Sequence, residues 1–207
     1  MTELTETLDC NQISELILDV TITYLEMLQK PADISTAPDP KHMSVRKINE
    51  PTLSFYRYLY CNIGQPWRWY ERRVLSDDEL TIIIHDPNVS VYVLYSQGSP
   101  AGYFELDGRI DSQIELAYFG LLPQFIGKGL GSWLLSRALA AAWRTKPNRV
   151  WVHTCNLDHP NALLCYQKAG FKAYRKEIIS IRDPWLEPYW DVALSENFNE
   201  QKPDVLS

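Results

Sequence analysis

The sequence predicts an α/β domain in which helices and strands are mixed along the chain (α+β), and three stretches carry that expectation. Residues 114–122 are rich in branched and aromatic side chains, and Trp133, Leu134, Ala138 and Ala141 then recur at helical spacing. Between them Gly127, Gly129 and Gly131 stand at alternate positions, where the backbone can turn tightly. Residues 149–155 form a further strand pattern. A short helix follows it and ends at Gly170, which suits a left-handed cap, and Phe171 starts another strand.

The remaining elements follow in chain order. Val20, Ile22 and Tyr24 alternate with Thr21 and Thr23, so residues 19–27 read as a first strand, and the proline-bearing stretch 31–40 reads as a loop. Residues 51–63 should be helical. Ser76 and Glu79 have the spacing of a capping box opening a helix that carries Leu80, Ile83 and Ile84, with Asp86-Pro87-Asn88 closing it. Residues 89–95 and 101–106 flank Gln97-Gly98-Ser99-Pro100 as a hairpin leading to the strand at 114. No internal repeat appears. At 207 residues and 45% apolar composition the chain suits one domain, placed at 1–195, and the polar stretch 196–207 reads as a loose tail.

The turn at 127–131 carries the chemistry. Bare N–H groups at a helix start, with the partial positive charge of the helix dipole, favour a pyrophosphate. Lys128 is followed by Gly129 rather than by Ser or Thr, so the turn is not a P-loop. A dinucleotide fingerprint needs its third glycine where Ser132 stands. Asp158 after the next strand would serve as the ribose ligand of such an unrelated nucleotide enzyme, and the glycine spacing argues against it.

With the strand before it and Pro123 two residues after Leu121, this turn resembles the coenzyme-A loop of the Gcn5-related N-acetyltransferases. A second landmark of that family lies downstream, where Ala162, Tyr166, Gly170 and Phe171 match a short helix ending in Gly-Phe. The resemblance covers residues 89–182. It implies a mixed, mostly antiparallel sheet of six to seven strands flanked by helices, with a splayed central strand pair. It also implies acetyl-coenzyme A as cosubstrate and direct transfer of an acetyl group to a primary amine of a small molecule or peptide. A catalytically weak acyl-coenzyme-A sensor is the alternative from another class.

Carried over by position, Gly127, Lys128, Gly129, Leu130, Gly131 and Ser132 would hold the pyrophosphate, and Phe119, Gly120 and Leu121 would pair with the pantetheine arm. Tyr166 would meet the coenzyme sulfur as general acid. Glu115, read as sharing a strand face with Ala117 and Phe119, would drain the amine proton, with His153 as runner-up base. Two positions depart from the family pattern. Ile126 stands where Gln or Arg is usual, and His159 stands where Asn is usual and is taken as a coenzyme contact.

The acceptor side is expected near Tyr56, Tyr58, Tyr60, Trp67, Trp69 and Tyr70, as a pocket wall or as helix packing. Arg68, Arg72 and Arg73 are interleaved there, either binding an anion or solvated, and Trp185, Tyr189 and Trp190 would complete the opposite wall. A net charge of −6 argues against nucleic acid and anionic membrane as partners. No apolar run reaches spanning length and no leader is evident, so a cytoplasmic location is expected. Cys10, Cys61, Cys155 and Cys165 lack metal spacing, which implies reduced thiols and no metal, and homodimerisation is left open.

Overall fold

The computed structural model describes residues 17–32 and 41–185. In chain order these form β1 (Ile17–Met27), β2 (Met43–Ile48), α1 (Leu53–Gly64), α2 (Asp77–Ile84), β3 (Val89–Ser96) and β4 (Ser99–Asp107). There follow β5 (Gln113–Leu121), α3 (Leu130–Ala142), β6 (Arg149–Cys155), α4 (Ala162–Lys168) and β7 (Lys172–Arg182). The expected tail at 196–207, Cys10, Tyr189, Trp190 and most of the 31–40 loop lie outside the described residues.

The strands make one sheet in the order β2-β3-β4-β5-β6-β1-β7. Every pairing is antiparallel except β5 with β6. The mixed, mostly antiparallel architecture expected from the sequence is therefore present. Local chemistry explains the elements that were foreseen. Ser76 and Glu79 close a reciprocal capping box at the start of α2. Gln97 and Gly98 both take positive φ, as a two-residue turn matching the strand twist requires. Gly170 caps α4 at φ 103°, and the Phe171 N–H bonds back to the Tyr166 carbonyl.

Two features depart from the sequence reading. β2 was not anticipated, because its six residues alternate only weakly and gain their place by pairing with β3. More consequentially, the position of β1 in the sheet was not foreseen. The strand is inserted between β6 and β7, antiparallel to both, with Ile22 opposite Cys155 and Glu177. Residues from opposite ends of the chain thus build the sheet beyond β6.

Each face of the sheet has its own core. Tyr56, Leu59, Tyr60 and Ile63 of α1, with Leu80 and Ile84 of α2, pack on Val91, Val93 and Tyr103. On the other face Leu134, Leu135 and Ala138 of α3, with Tyr166 of α4, pack on Leu25, Phe104, Leu116, Val150 and Val152. Removing these apolar surfaces from water is the main stabilising contribution. Among the described residues no helix is long and apolar enough to cross a membrane.

Candidate active site in a split between parallel strands

β5 and β6 are partners over only three residue pairs, Gln113 with Arg149, Ile114 with Val150 and Glu115 with Trp151. Beyond these, β5 continues along β4 to Leu121 while β6 continues along β1 to Cys155. A bulge contributes to the divergence. The register against β4 shifts so that Leu116 opposes Leu106 and Tyr118 opposes Glu105, leaving Ala117 as an extra residue that bends the strand. A cavity of about 560 Å³ fills the split. One end meets Gly127, Gly129, Gly131 and Ser132 on the α3 face, and the other meets Trp67, Trp69, Tyr70 and Glu71 on the α1 face.

The bulge corrects one reading of the sequence. Strict alternation would put Glu115, Ala117 and Phe119 on one face. Instead Tyr118 faces α1 with Tyr60 and Trp69, while Phe119 faces α4, with its ring 6.2 Å from Tyr166. The extra residue at Ala117 inverts the parity of everything after it.

The glycine turn leaves its donors exposed. Gly127 (φ 78°) and Gly129 (φ 75°) adopt left-handed backbone, and Gly129 is the N-cap of α3 with no side-chain cap. A Cβ at position 127, 129 or 131 would meet no atom within 4 Å, so the surface over this turn is open. Uncapped N–H groups at a helix start beside a bare glycine surface fit a phosphate or diphosphate. Leu130 is buried below the turn, and the Lys128 ammonium lies 5.4 Å from the Phe125 ring centre rather than on the cavity wall. Ile126 lines the cavity instead.

Phe119, Gly120 and Leu121 all border the cavity. Gly120 is also a packing requirement, because a Cβ there would meet Ile63 Cγ2 at 2.4 Å. His159 lines the cavity with its ring 5.0 Å from Trp67, and its Nδ1 accepts the Asn161 N–H. Asp158 is engaged as a structural group: its carboxylate accepts from the Thr154 hydroxyl, the Cys155 N–H and Trp69 Nε1. Asp158 thus serves to join β6 to Trp69, although it also borders the cavity.

The two base candidates form one unit. Glu115 Oε1 and His153 Nδ1 are 3.1 Å apart. His153 stands on the cavity wall with 37% of its side chain exposed, whereas Glu115 lies behind it at 17%. Burial lowers the affinity of the imidazole for its proton, but the hydrogen bond and charge of Glu115, with Glu71 and Asp158 farther off, outweigh it and raise the pKa to about 9. The folded value therefore lies above the ordinary 6.5. The pair adds stability fully below about 6.5 and loses it as pH rises through about 9.

Tyr166 is only 7% exposed and sits edge-on between Phe119 and Phe171, on the cavity wall. Burial, reinforced by Asp158 and Cys165, pushes its phenol well above the ordinary value of 10.0, so it remains a neutral donor. Cys61, Cys155 and Cys165 are free thiols, and burial raises the Cys155 thiol to about 11. Among the described residues no three His, Cys, Asp or Glu side chains are grouped to hold a metal.

The aromatic group divides between the two anticipated roles. Tyr56 and Tyr60 are buried core, Tyr58 is exposed, and Trp67, Trp69 and Tyr70 line the cavity. Two of the three arginines are engaged by carboxylates of the chain itself, and Arg73 is exposed. Arg68 clamps Asp183 through two hydrogen bonds of 2.9 and 3.1 Å. Arg72 pairs at 2.7 Å with Glu105, a fully buried carboxylate that also accepts the Tyr56 hydroxyl at 2.5 Å. Trp185 is exposed and stands away from the cavity, and Ile179 and Ile181 of β7 form a wall in its stead.

Sequence reasoning missed Glu71, Tyr118 and Glu105. Tyr118 donates to Glu71 at 2.9 Å, and the Arg72 guanidinium lies 5.2 Å from the Tyr118 ring centre. Glu105 shares a strand face with Tyr103, which placed a carboxylate in an apolar pattern and was the one local sign of a buried pair.

Residues 44–171 match the acetyltransferase (GNAT) family, the stretch from β2 through the end of α4. An uncharacterized N-acetyltransferase from Mycobacterium bovis is 31% identical over 98 residues, covering 47% of this chain and 62% of that protein. The chain thus matches under two-thirds of that relative's length. A functionally unknown conserved protein from Staphylococcus epidermidis superposes with a TM-score of 0.60 at 15% identity, over 86% of this chain and 69% of that one. A GCN5-related N-acetyltransferase from Kribbella flavida gives 0.53 at 15% identity, over 83% and 62%. At such identities the structural matches speak to the fold alone.

Proposed function

Because the chain belongs to the acetyltransferase (GNAT) family, we propose that it is an acyltransferase moving an acetyl group from acetyl-coenzyme A directly to a primary amine. The observation that carries this reading is the cavity that passes through the β5/β6 split, joining the uncapped glycine turn to His153 and Tyr166. The cosubstrate supplies an activated thioester. Backbone N–H groups of 127–132 would hold its diphosphate, and the unpaired edge of β5 at Phe119, Gly120 and Leu121 would run beside its pantetheine arm.

The attacking nitrogen forms a bond to the thioester carbonyl carbon and must lose a proton. Neutral His153, oriented by Glu115 at Nδ1, takes it at the other ring nitrogen. When the carbon–sulfur bond breaks, the electron pair leaves with sulfur. Tyr166 donates a hydrogen bond to that thiolate, whose proton comes from solvent on release. A phenol with so high a pKa shares its proton rather than surrendering it. No covalent enzyme intermediate is needed.

Turnover is tested by incubating the purified chain with acetyl-coenzyme A and a broad amine panel while following thiol release. Binding of coenzyme A without turnover of any amine would favour a sensor. The pH dependence tests the base. The kcat profile should rise with an inflection near 9, and Glu115→Gln should move that inflection down towards 6.5. An inflection that stays in place in the variant would remove His153 from the mechanism.

The turn itself is tested with a matched control. Gly129→Ala and Gly98→Ala both introduce a Cβ at positive φ (75° and 84°) into open space, so each should cost about 1–2 kcal/mol of stability. Only Gly129→Ala should weaken coenzyme A binding by calorimetry, by roughly tenfold. Equal affinity in the two variants would separate the turn from the ligand.

A further inference from the structure

We infer that the acceptor is a primary amine carried on an apolar body, an arylalkyl or alkyl amine, rather than a polyamine or a hydroxylated amine. This rests on the transferase reading for what occupies the two ends of the cavity. Its basis is the wall that the strand order builds. Val20 and Ile22 of β1 and Ile179 and Ile181 of β7 line the end of the cavity facing α1. Val20 is directly opposite Ile179 across the strand pair, and Ile22 and Ile181 lie two residues along their strands on the same face, so the four make an aliphatic patch; Glu177, opposite Ile22, is engaged by Arg175 and the Tyr24 hydroxyl. These strands fall outside the 44–171 stretch that matches the family.

Trp67 borders the same cavity, and so does Glu71. Glu71 accepts at 2.9 Å from a neutral group, the Tyr118 hydroxyl, which leaves its carboxylate further acceptor positions for an incoming ammonium. The Arg68 guanidinium, also at this end, is engaged by both oxygens of Asp183 and presents no unpaired cation to repel one. An amine entering here meets a carboxylate near the mouth and the His153 ring deeper in. Its body has aliphatic surface on one side and aromatic rings on the other. A hydroxyl or second ammonium against the isoleucines would lose its hydration without a partner.

The experiment measures both binding and turnover. Phenylethylamine, ethanolamine and spermidine are titrated calorimetrically into the full chain saturated with coenzyme A, and thiol release from acetyl-coenzyme A is followed for each. Phenylethylamine should bind at least tenfold more tightly than either of the others and show the highest kcat/KM. In Ile181→Thr, which keeps a β-branched residue on β7, the preference for phenylethylamine over ethanolamine should fall by threefold or more. Equal or weaker binding of phenylethylamine, or a preference unchanged in the variant, overturns the inference. Preferential binding with no turnover of any amine supports the apolar pocket and counts against the transferase reading instead.

Discussion

Tyr166→Phe should lower kcat by roughly 10²-fold while leaving the dissociation constant of coenzyme A within about threefold of the parent. The asymmetry follows from the surroundings of the ring. Its body is fixed by edge contacts to Phe119 and Phe171, and phenylalanine reproduces both, so packing and the cavity wall persist. Only the hydroxyl is lost, and in the proposed mechanism it acts on the negative charge that develops as the thiolate leaves. Pre-steady-state and steady-state thiol release, with calorimetry of coenzyme A, separate the two quantities. Unchanged turnover would show that the phenol is packing alone.

The second large effect concerns stability. Arg72→Met should destabilise the chain by about 3–5 kcal/mol, because it strands the fully buried Glu105 carboxylate without its counter-ion. At this chain length each kcal/mol corresponds to about 2–4 °C, so the thermal midpoint should fall by roughly 6–20 °C. The double variant Arg72→Met with Glu105→Leu should recover much of that loss, since an apolar replacement of both partners removes the unpaired charge. A single variant as stable as the parent would mean that Glu105 does not depend on this guanidinium. Calorimetric melting at neutral pH distinguishes these results.

The parts of the fold that were legible in the sequence were those set by neighbours along the chain. The Ser76–Glu79 box, the Gln97-Gly98 turn, the cap at Gly170 and the glycine turn before α3 each depend on a few consecutive residues. Tyr166 was singled out by the family resemblance, and it lies on the cavity wall four residues before the cap at Gly170. What stayed hidden depends on pairing across long separations. The alternation in β1 revealed a strand but not that Ile22 would lie against Cys155 and Glu177, more than a hundred residues away.

The aliphatic wall was invisible for that reason, since neither β1 nor β7 forms it alone. The bulge at Ala117 was hidden as well, because an unpaired residue is defined only by its partner strand. In the sequence Glu115 and His153 read as rival bases. Their strands are the parallel pair, and the last rung before the split, Glu115 with Trp151, brings His153 beside the carboxylate.

Nitrogen-labelled amide spectra of the chain, recorded with and without coenzyme A, test the central claim most directly. The amides of Gly127, Gly129, Leu130, Gly131 and Ser132 should shift and gain protection from exchange on saturation, with further changes along β5 to Phe119, while that of Gly98 stays in place. Saturable coenzyme A binding that leaves the 127–132 amides unmoved would contradict the account.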